Sequence, residues 1–173
     1  MTMQAFAEVG VPLDQATPLQ NLERLALEAI GLQPDTYVNW RAVAELRAGS
    51  APQPDIWLHL TAETVVPLTC QRCMGGVQVP LKVDQWYRFV ASEEIAMAQD
   101  DACVEDLLVL APQFDLSAVL EDELLMALPL VPMHDECPVL PGFSAGAGGV
   151  LDAFDDLPEK PHPFAALAQL KKM

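Results

Sequence analysis

Ile56-Trp57-Leu58-His59-Leu60-Thr61-Ala62-Glu63-Thr64-Val65-Val66 leads into Thr69-Cys70-Gln71-Arg72-Cys73-Met74-Gly75-Gly76, and then Val77-Gln78-Val79-Pro80-Leu81-Lys82-Val83-Asp84-Gln85-Trp86-Tyr87-Arg88-Phe89 follows. The flanking runs alternate. Ile56, Leu58, Leu60, Ala62, Thr64 and Val66 fall on one side, and His59, Thr61 and Glu63 on the other. Val77, Val79, Leu81, Val83, Tyr87 and Phe89 repeat the pattern against Gln78, Lys82, Asp84 and Arg88. Period-two alternation over such lengths predicts antiparallel strands with one buried face. The Cys-x-x-Cys turn then lies at the tip of a hairpin, where Gly75-Gly76 is expected to permit the reversal.

A third run joins this pair. Val38, Trp40, Ala42, Ala44 and Leu46 alternate with Asn39, Arg41, Glu45 and Arg47, and Gly49-Ser50-Ala51-Pro52-Gln53-Pro54 is a loop. Upstream, Val9, Val11 and Leu13 suggest a short edge strand. Pro18 to Ile30 reads as a helix: Thr17 is the expected N-cap, Leu19, Leu22, Leu25, Ala26 and Ile30 share a face, and Gly31 stops it. Glu23, Arg24 and Glu28 are expected to face water. Residues 91–106 read as an acidic exposed loop with at most a helical turn, and Leu107–Leu110 as a short strand. Asp115 caps a second helix through about Leu128, with Leu116, Val119, Leu120, Leu124, Ala127 and Leu128 on one stripe. The acidic run Glu121-Asp122-Glu123 is assigned to a solvated face.

The fold class is therefore α+β: a curved antiparallel sheet, with partial closure into a barrel left open, and two packed helices. Residues 1–137 form one domain. Residues 138–162, rich in Pro, Gly, Ala and Asp, read as a flexible linker. Residues 163–173 read as a short amphipathic helix with Phe164, Leu167 and Leu170 on one face.

Apolar residues make up 51% of the 173, and the net charge is −16. That charge argues against a general phosphate-binding surface, because nucleic-acid affinity rests on Lys and Arg displacing counterions. It favours a basic partner. The N-terminus has no basic stretch followed by an apolar run, and no run is long enough for a membrane helix. A cytoplasmic protein is expected, with its four cysteines reduced rather than paired.

Cys70 and Cys73 supply half of a tetrahedral zinc shell, and His134 and Cys137, separated by two residues, have the spacing for the other half. Cys103 is an alternative fourth ligand. Structural zinc is set against ordinary thiols and against a redox Cys-x-x-Cys. The redox motif normally opens a helix after a strand, where the dipole lowers a thiol pKa; here it bridges two strands. Arg72, Lys82 and Arg88, on or beside the hairpin, and Phe164, Leu167 and Leu170 of the C-terminal helix are candidate contacts to RNA or a partner. His59 reads as a hydrogen-bonded structural residue. Trp40, Trp57 and Trp86 read as packing, since a base-stacking platform needs a basic surround. No Ser-His-Asp set, P-loop or Gly-x-Gly-x-x-Gly is present.

Three blocks together carry a resemblance. Cys70-Gln71-Arg72-Cys73 after a strand, Glu121 to Pro132 with His134-Asp135, and Pro163 to Lys171 resemble the bacterial YceD family of large ribosomal RNA (23S) accumulation proteins. The likeness runs from about residue 36 to the C-terminus; the N-terminal part is similar only in general character. It implies a non-enzymatic cytoplasmic factor needed for synthesis, processing or stability of 23S rRNA. Some relatives carry a second Cys-x-x-Cys where this chain has His134 and Cys137, which strengthens the zinc reading. No catalytic residue carries over. Charge and family together point to an indirect role through a basic ribosomal protein or assembly factor. The readings from other classes are a thiol-disulfide oxidoreductase using Cys70 and Cys73, and a zinc-stapled adaptor unrelated to ribosomes.

Overall fold

The computed structural model describes residues 2–49 and 53–138. All of the expected linker but Pro138, and the C-terminal helix with Phe164, Leu167 and Leu170, lie outside them.

Five strands form one sheet in the order β1-β2-β3-β4-β5: β1 Leu13–Pro18, β2 Tyr37–Arg47, β3 Asp55–Thr69, β4 Gly76–Val90 and β5 Asp106–Val109. The alternation of the sequence is the burial pattern of the sheet. Val38, Trp40, Ala42 and Ala44 of β2 are buried, as are Ile56 to Val66 at every second position of β3 and Val77, Leu81, Val83, Tyr87 and Phe89 of β4. Each buried Val, Leu, Ile or Phe side chain contributes about 1.5–3 kcal/mol. Leu46, near the end of β2, is exposed, and Val79 of β4 is only half-buried.

Two expectations about the sheet need correction. It is mixed rather than wholly antiparallel, because β5 pairs parallel to β4, Tyr87 opposite Asp106 and Val90 opposite Val109. Parallel pairing needs a crossover that returns the chain to the start of its neighbour. Residues 91–105, expected as a loop, make that return through helix α3, Glu93–Gln99. Nor does the sheet close as a barrel: β1 and β5 remain its two edges.

Four helices are described, not two. Helix α1, Met3–Val9, takes in Val9 and buries Met3 and Ala7, so the edge strand expected through Val9, Val11 and Leu13 begins only at Leu13. The expected helix over 18–30 is broken into a 3-10 turn, Leu19–Asn21, and a short α2, Glu23–Glu28, with non-helical Leu22 (φ −95°, ψ 87°) between them. Thr17 does not cap it. Thr17 pairs with Val38 in β1, and its Oγ1 accepts from Trp40 Nε1 at 2.9 Å. Strand pairing and an indole hydrogen bond have outcompeted a helix N-terminus. Leu19, Leu22 and Leu25 are nevertheless all buried, and Gly31 adopts the left-handed conformation at φ 59°.

Helix α4, Leu116–Met126, starts as expected, with the Asp115 carboxylate accepting from the Ser117 and Ala118 amides. It buries Leu116, Leu120 and Leu124. Glu121 is the correction. It is buried rather than solvated, and its Oε1 accepts from the amides of Arg24 (2.7 Å) and Leu25 (3.2 Å) while Oε2 accepts from Arg24 Nε (2.9 Å). The side chain thereby satisfies two of the free amides that begin α2. Asp122 meets the same guanidinium at 2.5 Å, at the surface.

The outer face of the sheet carries a stack of rings and cations. His59 lies flat on Trp86 with centroids 4.2 Å apart, and its Nε2 is 2.7 Å from Asp84 Oδ1, which gives it the structural role expected. The Arg47 guanidinium lies 4.4 Å from the Trp57 ring centroid and 4.2 Å from that of Trp86. Among the described residues no helix is long and apolar enough to cross a membrane.

Replacing Glu121 with Ala strands two amides, while the half-exposed Arg24 guanidinium keeps Asp122. A loss of about 2–4 kcal/mol in urea denaturation is expected. Asp122→Ala, which removes an exposed pair, should cost under about 1 kcal/mol. Equal effects from the two would show that Glu121 has no capping role.

Candidate metal centre

The knuckle is built by backbone bonds before any side chain is considered. The Cys70 amide donates to the Gly75 carbonyl at 2.8 Å, and the Met74 amide to the Cys70 carbonyl at 2.9 Å. The residue that takes the left-handed conformation is Met74, at φ 60°, and neither Gly75 nor Gly76 has positive φ. The expectation that the glycines make the reversal is thus displaced by one residue. A Cβ on Gly75 would meet Cys73 Sγ at 3.5 Å, an ordinary van der Waals contact, so neither the backbone nor the space there demands a glycine.

The second half arrives from the segment after α4. The Gln71 amide donates to the Pro132 carbonyl at 2.9 Å, which docks that segment on the turn. Cys70 Sγ then lies 3.8 Å from Cys137 Sγ, and Cys73 Sγ lies 3.5 Å from His134 Nδ1. The four donor atoms of Cys70, Cys73, His134 and Cys137 all lie within 4.8 Å of one another. A regular tetrahedron built with usual zinc–sulfur and zinc–nitrogen bond lengths has sulfur–sulfur edges of about 3.8 Å and sulfur–nitrogen edges of about 3.6 Å. The Cys70–Cys137 and Cys73–His134 separations match these edges.

The proton inventory fits the same purpose. His134 Nε2 is 3.0 Å from the Gly76 carbonyl. A carbonyl can only accept, so Nε2 carries the proton and Nδ1 turns its lone pair towards the cysteines. Burial pushes the Cys70 thiol up. The amides of Cys73, His134 and Arg72 and the His134 side chain outweigh it, bringing the pKa to about 5. Burial and the neighbouring Cys73 and Cys70 sulfurs push the Cys137 thiol upward. Several thiolates so close repel one another, and a divalent cation among them removes that penalty.

Cys103, the alternative fourth ligand, is not part of this cluster. Its sulfur accepts from Arg88 at 2.8 Å, far along the hairpin. Arg88 is spoken for as well. Its other nitrogens donate to Glu105 at 2.8 Å and Gln99 at 3.0 Å, so the guanidinium clamps the crossover to β4 instead of facing a partner. Lys82 is exposed and paired with Glu63 at 3.0 Å on the outer face. Arg72 is exposed at the knuckle, 4.0 Å from Met133 Sδ. It lines a groove of about 990 Å³ with Val77, Val131 and His134, whereas Lys82 lines a different one with Arg41 and Thr61. The three cations therefore do not form one patch.

These features define an acidic α+β domain whose hairpin tip is closed by a Cys₃His cluster. The chain belongs to the YceD family. The family model described as large ribosomal RNA subunit accumulation protein YceD matches residues 58–171. The large ribosomal RNA subunit accumulation protein YceD of Haemophilus influenzae is 32% identical over 153 residues, which span 87% of this chain and 82% of that protein. No solved structure matches the chain.

Met74 holds a conformation that costs a residue with a Cβ about 1–2 kcal/mol. Met74→Gly should leave thermal stability unchanged or raise it, and Met74→Ile should lower it. A stabilising isoleucine would show that the turn is not left-handed there.

Proposed function

We propose that this chain is a non-enzymatic, cytoplasmic ribosome biogenesis factor that supports accumulation of 23S rRNA, with zinc as a structural staple. The family match across residues 58–171 carries the reading. Zinc held by Cys70, Cys73, His134 and Cys137 fastens the segment after α4 to the hairpin tip. A factor at −16 is a poor general RNA binder, so it acts through a basic ribosomal protein or assembly factor. Arg72, exposed at the knuckle, is a candidate contact for that partner.

The thiol-disulfide reading draws on one observation, the low pKa of Cys70. A zinc ligand needs the same thiolate. The knuckle leads from strand into strand and not into a helix N-terminus, which weakens the redox case.

The experiment is the ratio of 23S to 16S rRNA, with a sucrose-gradient ribosome profile, in cells lacking this protein. The ratio should fall and be restored by the wild-type chain. An unchanged ratio with normal large subunits would sink the ribosomal reading.

Metal content tests the staple separately. The purified chain should hold about one zinc per molecule. Cys70→Ser and Cys137→Ser should lose it, while Cys103→Ser keeps it. Retention by Cys137→Ser would remove that residue from the shell. Disulfide turnover by the wild-type protein would favour the oxidoreductase.

A further inference from the structure

The groove beside the knuckle has two walls from distant parts of the chain. One is the start of β4, with Val79 and Pro80, and the other is the segment after α4, with Pro129, Val131 and Met133. The Gln71 amide on the Pro132 carbonyl and the Cys₃His cluster hold the walls together. Val131 and Met133 of the lining are exposed, as are Leu130, between two lining residues, and Met74, in the knuckle turn. Single exposed apolar side chains are ordinary, but several gathered around one concavity mark a binding surface. Met74 and Met133 bring flexible thioether chains, which suit such a surface.

The lining also carries charge of both signs. Arg72 contributes from the hairpin side, and Asp135 and Glu136 from the other. Among the described residues no ion pair includes any of the three. The Arg72 guanidinium meets a thioether instead, Met133 Sδ at 4.0 Å. A wholly basic segment in the groove would be repelled by Arg72, and a wholly acidic one by Asp135 and Glu136. A second copy of this chain, turned about a two-fold axis, presents carboxylates to Arg72 and Arg72 to the carboxylates, with like apolar surfaces in contact.

We propose that two copies of this chain pair through the groove beside the knuckle, Arg72 of each against Asp135 and Glu136 of the other, with Val131 and Met133 packed between them. Arg72, a candidate contact for the ribosomal partner, is thereby assigned to a second copy. The net charge of −16 opposes the approach of two copies, so the pair is weak and reversible and forms where salt screens long-range repulsion. The inference rests on the groove and its charges and is independent of the ribosomal reading.

The test is sedimentation velocity on the full-length protein at about 0.15 M ionic strength, over concentrations up to about 1 mM. A monomer–dimer equilibrium is expected. Arg72→Glu should raise its dissociation constant about tenfold or more, and so should Asp135→Lys with Glu136→Lys. Combining all three substitutions reverses every one of these charges and should bring the constant back to within about threefold of the wild type, which a misfolded knuckle could not do. The sign of the lysine result decides between two causes. Those substitutions make the chain less negative, so relief of general repulsion would tighten the dimer, whereas loss of the Arg72 contacts loosens it. Asp100→Lys with Asp101→Lys makes the same charge change beyond α3, at exposed positions, and should leave the dimer as tight or tighter. A benzophenone side chain in place of Val131 should cross-link one chain to another on irradiation.

A monomer at every concentration would overturn the proposal. So would a dimer that the lysine variants of the groove leave unchanged or tighten, or one that the combined variant fails to restore. A cross-link from position 131 that stays within one chain would overturn it as well. None of these results bears on the 23S-to-16S ratio, and a normal ratio leaves the dimer standing.

Discussion

The register between β3 and β4 is the constraint on which the rest depends. It runs unbroken from Ile56 opposite Phe89 to Thr69 opposite Gly76. Because side chains alternate, one slip would turn the whole core face outward. Holding that register places Cys70 and Cys73 at one end of the ladder and Tyr87, Arg88 and the β5 pairing at the other. The Cys₃His cluster and the Arg88 contacts to the crossover are thus separated by the length of one hairpin.

The core strands were legible because a half-buried strand writes its burial directly into the sequence. The Cys₃His cluster was legible for a similar reason: Cys70/Cys73 and His134/Cys137 each have a spacing that one turn can aim at one point. The first helix was not. Its apolar spacing is genuine, and Leu19, Leu22 and Leu25 are buried as expected. That spacing is also compatible with a 3-10 turn followed by a short α-helix, and the pairing of Thr17 and Pro18 with β2 decided between them. Met74 was hidden by its neighbours, since two adjacent glycines are the stronger turn signal.

Roles that join distant parts of the chain left no local mark. Glu121 sits in an acidic run and looks solvated until α2 is placed against it. Arg88 looks like a free cation until the crossover brings Gln99, Cys103 and Glu105 around it. The surround that a tryptophan platform requires was likewise invisible. Arg47 comes from the neighbouring strand, and only the sheet puts it over Trp57 and Trp86. Those ring faces are covered by this chain's own Arg47 and His59, so the stack rigidifies the outer face.

The Glu121 contact also has a temporal side. Its carboxylate and the Arg24 amide are 97 residues apart in sequence. Protein synthesis delivers the amino-terminal end first, so α2 exists for most of translation without the acceptor for its leading amides. The same holds for Cys73, which His134 follows by 61 residues, and for Cys70, which Cys137 follows by 67. Closing such long loops carries an entropic cost that only the late-emerging segment can repay. The contact of α2 with α4 and the closing of the knuckle by His134 and Cys137 therefore form only once the carboxy-terminal part of the described domain has been made.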